Sequence, residues 1–320
     1  MAKKKLKVGV LFGGKSAEHE VSLVSAKNVI AALSKAKYQI VPIKIAKDGK
    51  FNFARLKGLD VVFPVLHGPF GEDGSMQGVL KLAGIPFVGP GVLGSAVSMD
   101  KDVMKRLLRD AGLPVGNFLV FKAQERVEWS RVKNHLGAPV FVKPANLGSS
   151  VGISKVATED GFEKALTEAF KYDTKVIIEE NIEGREIECA VLGNEDPETS
   201  VLGEIISIGE FYSYDAKYVS DSKTLVDVKL GRHLEDKIRS MAIEVFKALN
   251  CEGMGRVDFF LKKDGEVLVN EINTIPGFTG ISMYPKLWEA SGLSQPKLLD
   301  KLISLALARH KRDGKLRSTK

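Results

Sequence analysis

Four polar residues near the end of the chain, Arg256, Asp258, Glu271 and Asn273, have the types and spacing for phosphate chemistry. One residue separates the members of each pair, and in a β-strand positions i and i+2 project from the same face. The connection Lys262-Lys263-Asp264-Gly265 reads as a hairpin turn, so the two strands are expected to be neighbours. That arrangement puts two carboxylates, an amide oxygen and a guanidinium on one surface. Carboxylate and amide oxygens are hard ligands suited to Mg2+, which completes its shell with water and substrate phosphates. An adjacent arginine stabilises charge on a phosphoryl group in transfer. The plainer alternative is a solvated polar face. Against it, Val257, Phe259 and Ile272 make the opposite face apolar. Acids on a strand buried on both sides are costly without a counter-ion.

The segment Gly148-Ser149-Ser150-Val151-Gly152 offers backbone N–H groups and hydroxyls without bulk. Such loops can cradle phosphates. It is not a P-loop, because no Gly-Lys-Ser/Thr follows, and taken alone it reads as a hairpin tip. Lys143, just upstream at the end of an apolar strand, either reaches an anion or snorkels to solvent. Lys101 could bring a second positive charge, although an exposed helix lysine is its ordinary reading.

Other motifs point elsewhere or nowhere. Gly89-Pro90-Gly91-Val92-Leu93-Gly94 fits the dinucleotide pattern G-x-G-x-x-G, with Asp110 near the spacing of a ribose-binding acid. A lone match is weak, the downstream acids would go unexplained in a dehydrogenase, and Asp110 falls in a helix. The five histidines show no i, i+4 pairing, so zinc spacing is absent. His67 sits in a loop where it could meet a ligand or cap the loop. Cys189 and Cys251 read as small core residues, and no G-x-S-x-G elbow exists.

The elements that must position these residues follow from periodicity. Strands at Leu6–Phe12, Gln39–Ile45 and Leu59–Leu66 alternate with helices at 16–33 and 76–83, which argues a parallel α/β unit over residues 1–98. Ligands of such sheets bind at the loops after the strands, where Gly13-Gly14 and His67-Gly68 lie. A helix from Asp100 to about Asp110, a strand pair at 138–143 and 153–156, a helix at 159–171 and a strand at 175–180 make a middle unit. Strands at 185–192, 201–208, 255–261 and 266–273, a helix near 233–249 and a helical stretch at 285–308, broken near Gly292, complete the chain.

The formal charge of +7 raises the question of nucleic acid, and its location answers it. Residues 1–7 and 301–320 together carry +10, while residues 8–300 carry −3. The basic character therefore reads as belonging to frayed ends rather than to a folded face, which argues against a nucleic-acid partner. At 320 residues with 44% hydrophobic content, the chain can bury a large core without disulfides. No apolar run reaches the roughly 18–20 residues of a membrane span, and no signal peptide is evident, so the expected location is the cytoplasm.

Taken in order, these motifs resemble the D-alanine–D-alanine ligases of the ATP-grasp superfamily over nearly all of residues 6–308. The resemblance rests on Gly13-Gly14-Lys15-Ser16-Ala17-Glu18-His19-Glu20-Val21-Ser22, on Leu66-His67-Gly68 with Gly71-Glu72-Asp73-Gly74, and on Ser98-Met99-Asp100-Lys101. Further on come Val142-Lys143-Pro144, Gly148–Gly152, Ala216-Lys217-Tyr218, Gly255-Arg256-Val257-Asp258 and Glu271-Ile272-Asn273-Thr274 with Pro276-Gly277.

It implies a mixed α/β and α+β fold of three units: an N-terminal parallel-sheet domain (1–98), a central ATP-grasp subdomain (99–183) and a C-terminal catalytic subdomain with a basic tail (184–320), ATP lying between two antiparallel sheets. It implies ATP-dependent ligation of two D-alanines through an acyl phosphate, for peptidoglycan synthesis, by a cytoplasmic homodimer with two Mg2+ ions or Mn2+.

By the same resemblance Glu271 bridges two metal ions, with Asp258 and Asn273 on one each. Lys101 and Lys143 hold phosphates, with Ser149 and Ser150 in the phosphate-cradling loop. Glu179 and Glu186 hold adenine or ribose, Glu180 to Ile182 form the hinge beside the base, and Phe260 packs on adenine. Arg256 and the Gly277 N–H form an oxyanion hole. Glu18 holds the first D-alanine's ammonium and is linked through Ser149 to Tyr218; Lys217 and Ser282 meet the second substrate's carboxylate, with His67 a further substrate contact. Lys217-Tyr218 favours D-alanine over D-lactate, and the loop 211–222 is expected to act as a lid. The rivals are another ATP-grasp ligase, using D-lactate or D-serine, and a non-catalytic nucleotide-binding module.

Overall fold

The structure is a computed structural model describing residues 4–148, 151–206 and 223–317. The first unit is a parallel sheet of β1 (Leu6–Gly13), β2 (Tyr38–Ile45) and β3 (Val61–Val65) in the order β2-β1-β3, extended by a bridge from Val62 to Phe87. Helix α1 (His19–Ala32) crosses between β1 and β2, and α2 (Ser75–Leu82) and α3 (Val92–Met99) follow β3. Asp100 ends α3 and caps α4 (Lys101–Asp110), its Oδ1 accepting the Val103 N–H at 3.1 Å.

The central unit is an antiparallel sheet in the order β4-β7-β5-β6. Its strands are β4 (Phe118–Lys122), β5 (Val140–Pro144), β6 (Ser154–Val156) and β7 (Lys175–Glu180), with α5 (Trp129–Leu136) and α6 (Glu159–Ala169) on one face. The last unit is an antiparallel sheet, order β10-β9-β8-β11-β12. It comprises β8 (Gly184–Gly193), β9 (Glu198–Ile206), β10 (Lys223–Val226), β11 (Gly253–Lys262) and β12 (Val267–Asn273). Helices α7 (Arg232–Ala248), α8 (Met283–Ala290) and α9 (Gln295–Asp313) cover it. The mixed α/β architecture with a parallel sheet and two antiparallel sheets agrees with expectation.

The first and the large sheet share a core. One apolar cluster joins Val8, Val10 and Phe63 of the first sheet to Leu192 and Met254 of the large sheet and to Tyr284, Leu287, Leu298 and Leu302 of α8 and α9. A second packs Val257, Phe259 and Ile272 against Ile238, Val245 and Phe246 of α7. The far side of the metal-like strands is therefore buried, as their alternation requires. The central sheet has its own cluster, in which Val140, Val142 and Ile178 meet Phe162 and Val132.

Five elements depart from the sequence reading. Helix α3 begins inside the glycine-rich run, and Gly94 serves close packing there: a Cβ on it would lie 2.5 Å from the Asn250 carbonyl oxygen. Strands β4 and β10 and helix α5 were not expected; all three are short, and α5 buries only Val132. The basic C-terminus is not simply frayed. Helix α9 runs to Asp313, and the buried Arg309 donates to the Phe87 and Gly89 carbonyls, stitching the last helix to the edge of the first sheet.

Candidate active site

The strand register sets the centre of the site. β11 and β12 pair so that Arg256 lies opposite Asn273 and Asp258 opposite Glu271, as the hairpin argument requires. An irregularity follows at Asp258/Phe259, where Phe259 pairs with Val269 and Asn270 becomes the extra residue. β8 lies on the other side of β11, with Glu188 opposite Asp258 and Glu186 opposite Phe260. Arg256 donates to both oxygens of Asp258 at 2.7 Å, and its Nε lies 3.1 Å from Glu188. Burial alone disfavours the guanidinium's charge, but the two carboxylates outweigh it and raise its pKa well above the usual value.

A cleft of about 410 Å3 opens over this face. Asp258, Glu271, Asn273 and Arg256 line it from the large sheet, with Glu186 and Lys101 beside them. Gly277 and Ser282, from the loop after β12, close one end; Glu18 and His67 enter from the first unit. Residues as far apart in sequence as Glu18 and Ser282 are thus brought to one place.

Glu18 is delivered by a tight turn. Gly13 and Gly14 take positive φ values of 90° and 92°, and the Ser16 hydroxyl accepts the Glu18 N–H at 3.0 Å, so Glu18 stands at the N-terminus of α1 and not within its first turn. Gly68 touches it: a Cβ there would be 2.8 Å from Glu18 Oε2. Gly148, just before Ser149, is also close, a Cβ there lying 3.4 Å from the same oxygen. Ser149, Ser150, Lys217, Tyr218 and the expected lid lie outside the described residues.

His67 has both nitrogens turned to protein atoms: Nδ1 donates to the Ile275 carbonyl at 3.0 Å, and Nε2 is 3.4 Å from Ser25 Oγ. Of its two sequence readings, the loop-capping one fits this geometry. Burial lowers its pKa, which keeps the ring neutral. Glu72, from the same loop, accepts the Gly68 N–H at 2.7 Å and the Ile275 N–H at 3.1 Å. Burial, reinforced by the charge of Glu18, pushes its carboxyl well above the ordinary range despite these bonds. Ser25 accepts the Phe278 N–H at 3.1 Å. Three side chains of the first unit thus pin the segment 275–278 that carries Gly277. A Cβ on Gly277 would sit 2.7 Å from Ser282 Oγ, so the glycine permits a close approach. Ser282 Oγ in turn accepts the Thr279 N–H at 2.9 Å.

The central sheet supplies a layer of alternating charge. Lys143 Nζ donates to Glu179 Oε2 at 2.8 Å, and Lys105 Nζ lies 3.4 Å from Glu179 Oε1. Burial raises the Glu179 pKa, but Lys105, Lys143 and Lys101 together reverse the shift and take it down to about 2. Lys101 donates to the Leu147 carbonyl at 2.8 Å and sits 3.4 Å from Glu271 Oε2, joining the two layers. The carboxylate of Glu180 is occupied by the Asn117 N–H and side-chain amide, at 2.7 and 3.2 Å, and its own N–H donates to the Asn117 carbonyl at 3.1 Å. Glu180 and Ile182 line a separate hollow of about 380 Å3. Phe260 is half-buried on the same strand face as Asp258.

Lys105, Glu188, Glu72 and Ser25 were missed from the sequence. Glu188 was findable, since it shares a strand face with Glu186. Lys105 stands one turn after Lys101 and between Met104 and Leu108, on the buried side of α4.

No group of three or more His, Cys, Asp or Glu suited to a metal occurs among the described residues. Two carboxylates and an amide oxygen on one wall nonetheless fit Mg2+, which takes one or two carboxylates and leaves the remaining positions to phosphate and water.

Comparison with known proteins gives a consistent picture. The family model described as "D-ala D-ala ligase C-terminus" matches residues 107–304, and "D-ala D-ala ligase N-terminus" matches residues 7–58 and 52–90. The D-alanine–D-alanine ligase of Oceanobacillus iheyensis is 47% identical, the alignment covering 99% of each chain. Among solved structures, the D-alanine–D-alanine ligase of Coxiella burnetii superposes with a TM-score of 0.89 at 41% identity, covering 98% of this chain and 97% of that one. The VanG D-Ala:D-Ser ligase of Enterococcus faecalis gives 0.85 at 37%, covering 95% and 100%. The Bacillus anthracis D-alanine–D-alanine ligase complexed with ATP gives 0.84 at 32%, covering 97% and 100%.

Proposed function

The chain belongs to the D-alanine–D-alanine ligase family, and we propose that it joins two D-alanines into D-alanyl-D-alanine, converting ATP to ADP and phosphate. The observation that carries this reading is the meeting in one cleft of Glu18 from the first unit with Arg256, Asp258, Glu271, Asn273 and Gly277 from the last. A carboxylate suited to an ammonium thus faces a cluster suited to a triphosphate.

A carboxylate is a poor electrophile at neutral pH, so the first D-alanine must be activated. Its carboxylate oxygen attacks the γ-phosphorus of ATP, giving an acyl phosphate and ADP. The neutral amine of the second D-alanine then attacks the acyl carbon, loses a proton, and expels phosphate. Glu18 holds the first substrate's ammonium. Ser282, with Lys217, receives the second substrate's carboxylate. Arg256 and the Gly277 N–H stabilise the oxyanion of the tetrahedral intermediate. Lys101, Lys143, Ser149 and Ser150 bind phosphate oxygens; Glu179, Glu186, the 180–182 hinge and Phe260 take the nucleoside. Asp258, Glu271 and Asn273 would hold magnesium, or manganese, which neutralises charge on the triphosphate when bound. His67, Glu72 and Ser25 hold the 275–278 segment in place for this chemistry.

The three units divide at about residues 98 and 183, and the wider assignment is a cytoplasmic homodimer serving peptidoglycan synthesis. No helix among the described residues is long and apolar enough to cross a membrane. Phosphate release measured with ATP and D-alanine, against L-alanine, tests the reaction. Release with D-alanine alone is expected; equal release with either enantiomer, or none, would overturn it. The likeness to a D-Ala:D-Ser ligase supports a second reading, in which D-serine is the second substrate. Lys217-Tyr218 favours D-alanine over D-lactate, and product analysis with D-alanine, D-serine and D-lactate in competition decides among the three.

A further inference from the structure

Lys105 has no part in the chemistry above, yet it is 2% exposed and fully enclosed on α4. A buried ammonium needs a reason to stay. Its partner is Glu179, whose two oxygens are treated differently. Oε2 accepts a 2.8 Å hydrogen bond from Lys143. Oε1 lies 3.4 Å from Lys105 and is buried without a hydrogen-bond donor among the described residues. Glu179 and Lys143 project from the face of the central sheet opposite the apolar cluster of Val140, Val142 and Ile178. Charge from Glu186 and Glu271 of the large sheet reaches Lys143 across this space. Glu179 also directly precedes the hinge 180–182. An enclosed acceptor beside a hinge, with one lone-pair direction open, awaits an N–H donor.

We propose that Lys105 is a positioning residue that sets nucleobase choice: it fixes Glu179 as an acceptor-only carboxylate whose Oε1 takes a hydrogen bond from the 6-amino group of a purine. A 6-oxo purine would set carbonyl oxygen against carboxylate oxygen and leave both without a donor. Lys143 alone cannot serve, since it holds the other oxygen and is also assigned to phosphate. The inference rests on the reading that ATP binds between the two antiparallel sheets.

The test compares ATP with inosine triphosphate, in which oxygen replaces the 6-amino group, in wild type, Lys105→Met, Glu179→Gln and the double variant. Lys105→Met should raise KM for ATP about tenfold with a smaller fall in kcat, and narrow the ATP-to-ITP ratio of kcat/KM about fivefold or more. Adding Lys105→Met to Glu179→Gln should leave that ratio where Glu179→Gln alone puts it, because the lysine acts through the carboxylate. An unchanged ratio in a folded Lys105→Met enzyme would overturn the proposal, as would a further change on adding it to Glu179→Gln. If Lys105→Met does not fold, the double variant, which removes both members of the buried Lys105–Glu179 pair, decides by the second criterion. Wild type that ligates with ATP while failing these criteria sinks this inference alone; wild type that does not use ATP sinks the functional reading beneath it.

Discussion

Arg256 grips both oxygens of Asp258, its neighbour two positions along the same strand, in a bidentate pair at 2.7 Å. The fork aligns the guanidinium in the plane of the carboxylate and fixes its edge toward the cleft. Lysine can supply the charge but not the two parallel bonds. Arg256→Lys should therefore lower kcat/KM by roughly 10^2–10^3, the usual cost of losing a transition-state donor. Steady-state phosphate release at saturating ATP measures it, with circular dichroism to show that the fold persists.

Glu271 shares its register position with Asp258 and is the acid closest to Lys101. Glu271→Gln keeps the shape and removes the charge. Half-saturating magnesium should rise at least about tenfold, and D-alanine-dependent phosphate release should fall to near background. A magnesium titration with activity unchanged would remove Glu271 from the metal site.

Gly277 and Ser282 cannot both keep their places if a methyl group is added, since a Cβ on Gly277 would be 2.7 Å from the serine oxygen. Gly277→Ala should displace Ser282 and raise KM for D-alanine roughly tenfold while changing KM for ATP much less. Separate titration of each substrate reads the difference.

Glu179 is held at about 2, below its ordinary value of 4.5. A depressed carboxylate contributes stability that is complete above the unfolded value and disappears as pH falls through the folded one. Acid unfolding monitored between pH 5 and pH 2 should therefore show a loss on the order of a few kcal/mol that Glu179→Gln lacks. His67 adds loss in the same direction below about 6.5, because its folded pKa is lowered and the unfolded ring takes up protons first. Parallel melts of wild type and the Glu179→Gln variant across this range check the sign.

Arg309 satisfies two carbonyls from the edge of the first sheet while enclosed. Arg309→Met strands both acceptors. It should cost about 2–3 kcal/mol, seen as a lower melting temperature with KM values little changed.

Much of the site was legible because strand periodicity is rigid. Arg256 with Asp258, and Glu271 with Asn273, could be placed on one face from spacing alone, and the short Lys262–Gly265 connection made the strands neighbours. The arrangement of Glu72 and Ser25 around Ile275 and Phe278 was not legible, since it joins residues more than 200 positions apart through backbone groups that carry no side-chain signature. Lys105 was hidden for a different reason. A lysine on an amphipathic helix is ordinarily solvated, and only the neighbouring sheet shows that this side of α4 is enclosed. Arg309 misled in the same way, reading as part of a basic tail because nothing local marks the two carbonyls it serves.

The apolar cluster common to Val8, Val10 and Phe63 and to Leu298 and Leu302 has a bearing on biosynthesis. The parallel strands are translated more than 230 residues ahead of Leu298 and Leu302, and cannot finish hiding their greasy side until that helix has followed. In the interval the nascent parallel strands are open to mispairing, and a holdase that recognises exposed aliphatic surface would find its target there.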